Sequence, residues 1–338
     1  MVEYFGMDVQ SEPIKPEPPS LIGALRKGFD AVANHLFVVL FPIGLDVFLW
    51  LGPHLKVTRL VERVLLSWNE FYSNGSFPNE DALNVGQQAW NITGERLNLF
   101  IFLRSYPVGV FSLMAGVQPL RSPLGEQFVI QVNSFEAVLL AWFACSLVGI
   151  LAASIYFALV AQAAVNDSIN WIDSVKSWIR NSLQVLLLTI FWFSVIAMVG
   201  LPCSCLISFL TFGNLAAAQF GILVLIGVLV WLLLPLFFSP HGIFVNCEDV
   251  WKAIKRSINL TRFTFPNTLF LVVIVFAIGE LMDMIWRFPK ETSWLTLIGI
   301  AGHGFVTSAL LATTFVYYRD AMLWMNAVLQ RVETVSAS

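Results

Sequence analysis

From Asn181 to Asn246 the chain carries no Lys, Arg, Asp or Glu, and His241 is the one imidazole in the run. A single bilayer crossing needs about 20 predominantly apolar residues. This run therefore holds two, at about 183–208 and 216–238, joined by a tight turn at Phe212-Gly213-Asn214. Hydrocarbon offers no water to free backbone groups, so each crossing must be helical. Composition points the same way: 57% of the chain is hydrophobic and 12% charged, where soluble domains run near 45–50% and roughly 25%. With so few charges, scattered in small groups, no nucleic-acid-binding face is present. Cys145, Cys203, Cys205 and Cys247 lie in apolar settings and form no disulfide framework.

Four more stretches qualify, at 33–52, 137–161, 267–286 and 294–317, the first of them containing Pro42, Gly44 and Asp46. The sequence thus predicts an all-α integral membrane protein with six transmembrane helices. The segment 97–117 is apolar too, but Arg104, Ser105 and Pro107 fall at its centre. A central arginine costs about 2.5–3.5 kcal/mol on insertion scales, and proline removes a backbone donor. It reads as a helix end followed by an apolar loop against the membrane surface.

Basic residues set the orientation. Lys15, Arg26, Lys27, Lys176, Arg180, Lys252, Lys255, Arg256, Arg262, Arg319 and Arg331 share one side if the N-terminus is inside, whereas the short outer loops hold Arg287 and Lys290. The positive-inside rule then puts both termini in the cytoplasm. Residues 1–19 form a disordered, proline-rich tail, and 20–52 an interfacial helix and the first crossing. Residues 53–135 make a small extracytoplasmic helical cap between the first two crossings. Residues 136–338 hold the other five, with cytoplasmic amphipathic helices at 168–181 and 247–263. Within the cap, 53–73 and 80–100 read as helices and 119–134 as a turn followed by a short strand. Asn74-Gly75-Ser76 and Asn91-Ile92-Thr93 are glycosylation sequons.

Three inner-side stretches look alike: ALRKGF (24–29), SVKSWI (174–179) and AIKRSI (253–258). They suggest a unit of one interfacial helix plus two crossings used three times, the first interrupted by the cap. A positive-inside protein also places basic amphipathic stretches here without any repeat, so both readings stand. In the third, Val250, Trp251, Ile254 and Ile258 line one face and Lys252, Lys255, Arg256 and Asn259 the other. Asn246 or Cys247 is the expected cap of this helix, and Ser20 that of the first.

The stretch FAIGELMDMIWR (276–287) puts Glu280 and Asp283 inside the fifth crossing, with Arg287 four residues beyond Asp283 as its ion-pair partner. Asp46 in the first crossing and His303 in the sixth share their depth beneath the cap. Intramembrane ionisable groups face the bundle interior or a wet cavity. Asp46, Glu280, Asp283 and His303 therefore make either an outward-open polar pocket for a proton, a cation or a lipid headgroup, or a set of structural contacts. In the second case Asp283 pairs with Arg287, while Glu280 and Asp46 accept hydrogen bonds from neighbouring helices or the cap. No H-x-x-H or H-E-x-x-H spacing supports a metal, and no cofactor motif occurs. His35, His54 and His241 read as solvated interface residues. Trp50, Trp286, Trp294, Tyr317 and Tyr318 read as interfacial anchors, and Gly304, Ser308 and Ala312 as a close-packing stripe.

The stretch SPHGIFVNCEDVWKAIKRSINLTRF (239–263), with Pro240, Ala253, Arg256 and Ser257, resembles an element of poorly characterised prokaryotic multi-span proteins. It is similar to the membrane domain attached to some glycerophosphodiester phosphodiesterases, over about residues 239–317. The resemblance implies a helical membrane module in a prokaryotic plasma membrane. The phosphodiesterase catalytic domain is missing, so no hydrolase activity carries over. G-x-S-x-G and the P-loop and Rossmann motifs are absent as well. The expectation is a non-enzymatic multi-pass protein that binds membrane lipid, or a partner protein through the 53–135 cap. The alternatives are a transporter or channel-like protein using the acidic and histidine residues, and a lipid-acting membrane enzyme.

Overall fold

The computed structural model of the protein describes residues 18–73, 88, 90, 94–166, 168–213 and 215–337. The first part of the tail, both sequons, Asn214 of the expected turn and most of the 80–100 helix lie outside these residues. Five helices are long and apolar enough to cross a membrane, or six if a bent pair counts as one crossing.

The bent pair opens the fold. Helix α1 (Leu21–Asn34) begins where the Ser20 hydroxyl accepts from the Gly23 amide at 3.2 Å, as its sequence suggested. The helix stops at His35, and a 3₁₀ turn (Leu36–Val39) leads into α2 (Leu40–Leu51). The two limbs meet at 91°. Pro42 and Gly44 both lie inside α2, after the bend.

After α2 comes the region expected to be a helical cap, which also holds a small sheet. Strand β1 (His54–Lys56) pairs in parallel with β2 (Val129–Gln131), Leu55 opposite Ile130. Helix α3 (Thr58–Ser73) therefore starts later than its periodicity implied. The Asn98 side chain holds β1 extended by accepting from the Leu55 amide at 3.0 Å. A 3₁₀ turn (Leu99–Leu103) and the short α4 (Met114–Val117) follow. Parts of this 97–117 segment pack into the fold, while Tyr106 stays exposed. The Leu103 carbonyl packs on Gly149, where a Cβ would collide with it, and Val108, Leu113 and Met114 are buried. Arg104 closes its own turn on the Ile101 carbonyl at 3.0 Å.

The bundle consists of α5 (Phe135–Asn166), α6 (Trp171–Gly213), α7 (Leu215–Leu233), the short α8 (Ser239–Asn246), α9 (Val250–Phe263), α10 (Phe265–Trp286) and α11 (Thr296–Ala337). The second amphipathic stretch is not separate: α6 runs through it without a break. The third is separate, with its break at Thr264. Helix α9 starts after Asp249 rather than Asn246 or Cys247, and its Val250 amide donates to Gln184 Oε1 of α6 at 2.8 Å. Its buried face is Val250, Ala253, Ile254, Ser257, Leu260 and Thr261, while Trp251 is exposed and rests 5.8 Å from Phe191.

Helix α11 is the axis of the fold. Its apolar window is 72% buried, against 11–28% in the other four candidate crossings. Helix α1 lies against it through Ala24, Gly28, Ala31 and Val32. At Gly28 a Cβ would stand 2.5 Å from the Thr313 amide nitrogen, so a side chain there would force the helices apart. Gly304 meets Val39 and Ile43 of the first crossing in the same manner, a use of small residues typical of membrane helix contacts. By contrast α6, α7 and α10 leave large apolar side chains such as Phe209, Trp231 and Phe276 exposed, as helices solvated by hydrocarbon do.

Candidate functional site

Asp46 projects from α2 into the underside of the cap and is fully buried. Its carboxylate accepts from Ser112 Oγ at 2.5 Å, the Leu113 amide at 3.1 Å and the Met114 amide at 3.0 Å. Ser112 Oγ in turn accepts from the Ala115 amide at 3.0 Å. Free amides at the start of a helix need acceptors from elsewhere. Here a carboxylate from a crossing helix supplies them for α4.

Asp283 joins the neighbouring elements. Its Oδ1 is 2.6 Å from His303 Nδ1 and its Oδ2 accepts from Arg287 Nη2 at 3.3 Å. That contact gives Nδ1 the proton and leaves the buried Nε2 of His303 without a partner among the described residues. The same guanidinium reaches over α4, within 3.2 Å of where a Cβ on Gly116 would be. Asp46 is within electrostatic range of His303. The structure therefore brings Asp283, His303 and Arg287 into contact, while Asp46 bonds to the 112–114 segment instead. Glu280 is not part of this: it stands on the exposed side of α10 with no hydrogen bond or ion pair among the described residues. Among those residues no three His, Cys, Asp or Glu side chains are grouped to hold a metal.

Several expected interface residues prove to be internal. Trp50 is buried, donating Nε1–H to the Glu291 carbonyl at 2.8 Å while its own carbonyl accepts from Gln127 at 2.7 Å. Trp286 sits in a notch of α11 formed by Gly299 and Gly302, whose Cβ atoms would come within 2.7 Å of it. Tyr317 and Tyr318 are buried too, Tyr318 accepting from Asn246 at 3.0 Å. His241 is only 3% exposed, enclosed by Phe238 and Phe315 and bonded to Thr314 at 2.8 Å. His54 is buried with Nε2 at 3.2 Å from the Leu49 carbonyl. Loss of solvation pushes this imidazole below its ordinary value, a shift the Leu49 carbonyl opposes and Lys56 reinforces. For Trp50, His241, Tyr317 and Tyr318 the missed signal was the aromatic residues they pack against.

A separate opening lies elsewhere. A cavity of about 750 Å³ lies between the 101–106 segment, α5 from Trp142 to Ile150, and α6 from Leu186 to Ala197. Its walls are mostly apolar, and Trp142, Phe143, Ile190 and Phe193 are exposed along it. Its polar groups are few: Arg104, Ser105, Tyr106, Ser146, Thr189 and Ser194. Three of the hydroxyls are already committed, Ser105 to the Val108 carbonyl and Thr189 and Ser194 to their own helix. Arg104 makes one contact to the Ser112 carbonyl at 3.3 Å and lies 5.4 Å from the Tyr106 ring, without an ion pair among the described residues. Neither Asp283 nor His303 lines this cavity. Sequence reading had met Arg104 only as an obstacle to a seventh crossing. No protein-family model, curated protein or solved structure matches the chain.

Proposed function

We propose that the chain is a non-enzymatic multi-pass membrane protein that holds a membrane lipid in the groove between the 101–106 segment, α5 and α6. The observation that carries this reading is the groove itself. Its volume of about 750 Å³ falls in the range of ligand sites, ~300–1,000 Å³. An apolar groove with a few polar groups matches a molecule that is mostly hydrocarbon. In this reading the bent pair makes a sixth crossing, both termini face the cytoplasm of a prokaryotic cell and the 53–135 cap stands outside. The thrice-used unit and the kinship with phosphodiesterase-attached membrane domains belong to the same reading. The exposed apolar faces of α6, α7 and α10 support it, as does the grouping of basic residues before the inward-starting helices.

Binding is favoured over catalysis by the side chains around each hydroxyl. No carboxylate or imidazole lines the groove among the described residues to take a proton from Ser146 or Tyr106. The Asp283–His303 pair has the form of a general base, but no hydroxyl or thiol bonds His303 Nε2. Transport gains little from the acidic residues. Asp283 is matched by His303 and Arg287, and Asp46 by two amides and a hydroxyl. That bonding supports an anchoring role, tying the cap to the bundle.

The test is native mass spectrometry of the purified chain released from gentle detergent. The wild-type protein is expected to carry one to two phospholipids, and Ser146→Trp, which fills the groove, to lose most of them with an unchanged melting temperature. Equal lipid adducts on both proteins would remove the groove as the binding site.

A further inference from the structure

We infer that the occupant of this groove is an anionic phospholipid, its phosphate held by Arg104 and one acyl chain lying between α5 and α6. The inference rests on the lipid reading above and adds the headgroup. Arg104 comes from a segment that descends beside α5 as far as Gly149, so its cation sits among apolar walls. A cation in that setting is costly unless an opposite charge meets it. Asp46 is occupied by the Ser112 hydroxyl and two amides, and Asp283 by His303 and Arg287. Neither is free to pair with Arg104. The guanidinium has five N–H donors in a planar fork, and one contact, at 3.3 Å, goes to Ser112. The remaining donors suit the two free oxygens of a phosphodiester, the bidentate geometry in which arginine exceeds lysine.

Tyr106 supports the same site. Its ring lies 5.4 Å from the guanidinium carbon and fixes the fork by a cation–π contact. Its phenol, 58% exposed at residue level, stands at the groove edge where a headgroup would lie. Arg104 is the one charged residue among those lining the groove, and the apolar ones include Ile101, Leu147, Ile190 and Phe193. Leu186 to Ala197 cover about 17 Å along α6, close to one leaflet of a core about 30 Å thick. The groove therefore pairs a single cation with an apolar length matched to one chain of a phospholipid. A zwitterionic lipid also has a phosphate, but its own ammonium competes for that phosphate and restores a net positive site. Preference for net-anionic lipid follows.

The experiment titrates the detergent-purified full chain with an equimolar mixture of dioleoyl phosphatidylglycerol and dioleoyl phosphatidylcholine and counts each adduct by native mass spectrometry. The wild type is expected to take the anionic lipid at least fivefold over the zwitterionic one. Arg104→Gln should bring that ratio to about one while total adducts fall less than twofold, and Arg104→Lys should keep a preference of threefold or more. Ser146→Trp should lower both adducts together. A wild-type ratio near one, an undiminished ratio in Arg104→Gln, or a folded Arg104→Lys that loses the preference would each overturn the headgroup assignment. Undiminished adducts in Ser146→Trp would instead overturn the groove as a lipid site.

Discussion

Replacing Asp46 by Asn should loosen one short stretch of the cap and leave the bundle intact. The carboxylate accepts from the Ser112 hydroxyl and from the Leu113 and Met114 amides. Hydrogen bonds to a charged acceptor contribute about 1.5–3 kcal/mol each. An asparagine keeps one carbonyl oxygen, which serves Ser112 and Met114 as Oδ1 does now. Its amide nitrogen then faces the Leu113 N–H, donor against donor. One charge-assisted bond is lost and two become neutral, a cost only partly offset by no longer burying a charge. The local loss comes to about 2–3 kcal/mol. At 1.36 kcal/mol per tenfold, amides of residues 112–116 should exchange with deuterium on the order of 30- to 150-fold faster. Hydrogen-exchange mass spectrometry on the detergent-solubilised protein reads this directly, since exchange reports local opening. A peptide from α11, such as 307–318, should exchange at its wild-type rate. If the 112–116 peptide keeps its protection in Asp46→Asn, the carboxylate is not what holds α4. If both peptides lose protection equally, Asp46 supports the whole fold and the anchoring argument fails.

Three other outcomes follow from the same contacts. Gly28→Ala should cost about 1–3 kcal/mol by overpacking, because its Cβ would lie 2.5 Å from the Thr313 amide nitrogen. Gly44→Ala, with nothing within 4 Å of its Cβ, should leave the melting temperature unchanged or raise it; equal melting temperatures for the two variants would contradict the close approach of α1 and α11. His54 titrates below its ordinary value of 6.5 because burial disfavours its charged form. The unfolded chain therefore takes up the proton first, and the stability this group contributes is complete above about pH 6.5 and declines as pH falls through the lower folded value. Protection of the β1 amides should fall over that window in the wild type and not in His54→Gln; parallel profiles would locate the titrating group elsewhere. Glu126→Cys, in a chain whose own cysteines are changed to Ser, should react with an impermeant maleimide on intact cells, and labelling only after permeabilisation would reverse the proposed orientation.

Much of the frame was readable because the bilayer demands it. The charge-free run from Asn181 and the apolar stretches at 137–161, 267–286 and 294–317 each became a long helix. Contacts between distant segments were harder to read. Asp46 and Ser112 are 66 residues apart, and Ser112 lies in an irregular segment, so nothing in the sequence joined them, whereas Asp283 and His303 could be matched by depth on two regular helices. Glu280 shares a helix with Asp283 but points away, a choice set by how α10 is rotated against α11. The first crossing bends at His35 rather than at Pro42, because proline is accommodated in an opening helical turn and here falls at the third residue of α2. Helix α11 continues beyond the 294–317 stretch to Ala337. Asp320 meets Arg319 at 2.9 Å and Lys27 of α1 at 3.6 Å, and Arg319 donates to the Val165 carbonyl at 3.2 Å. Charges that terminate an apolar run thus serve as contacts between helices.

The helix around which the others gather also comes after every helix it touches. On a ribosome α11 emerges after α1, α2, α5 and α10. Until then Gly28 has no Thr313 to meet and Tyr156 lacks the Ser308 hydroxyl it contacts at 2.9 Å. A chain that ended before Thr296 would lack the surface on which Gly28 and Tyr156 pack.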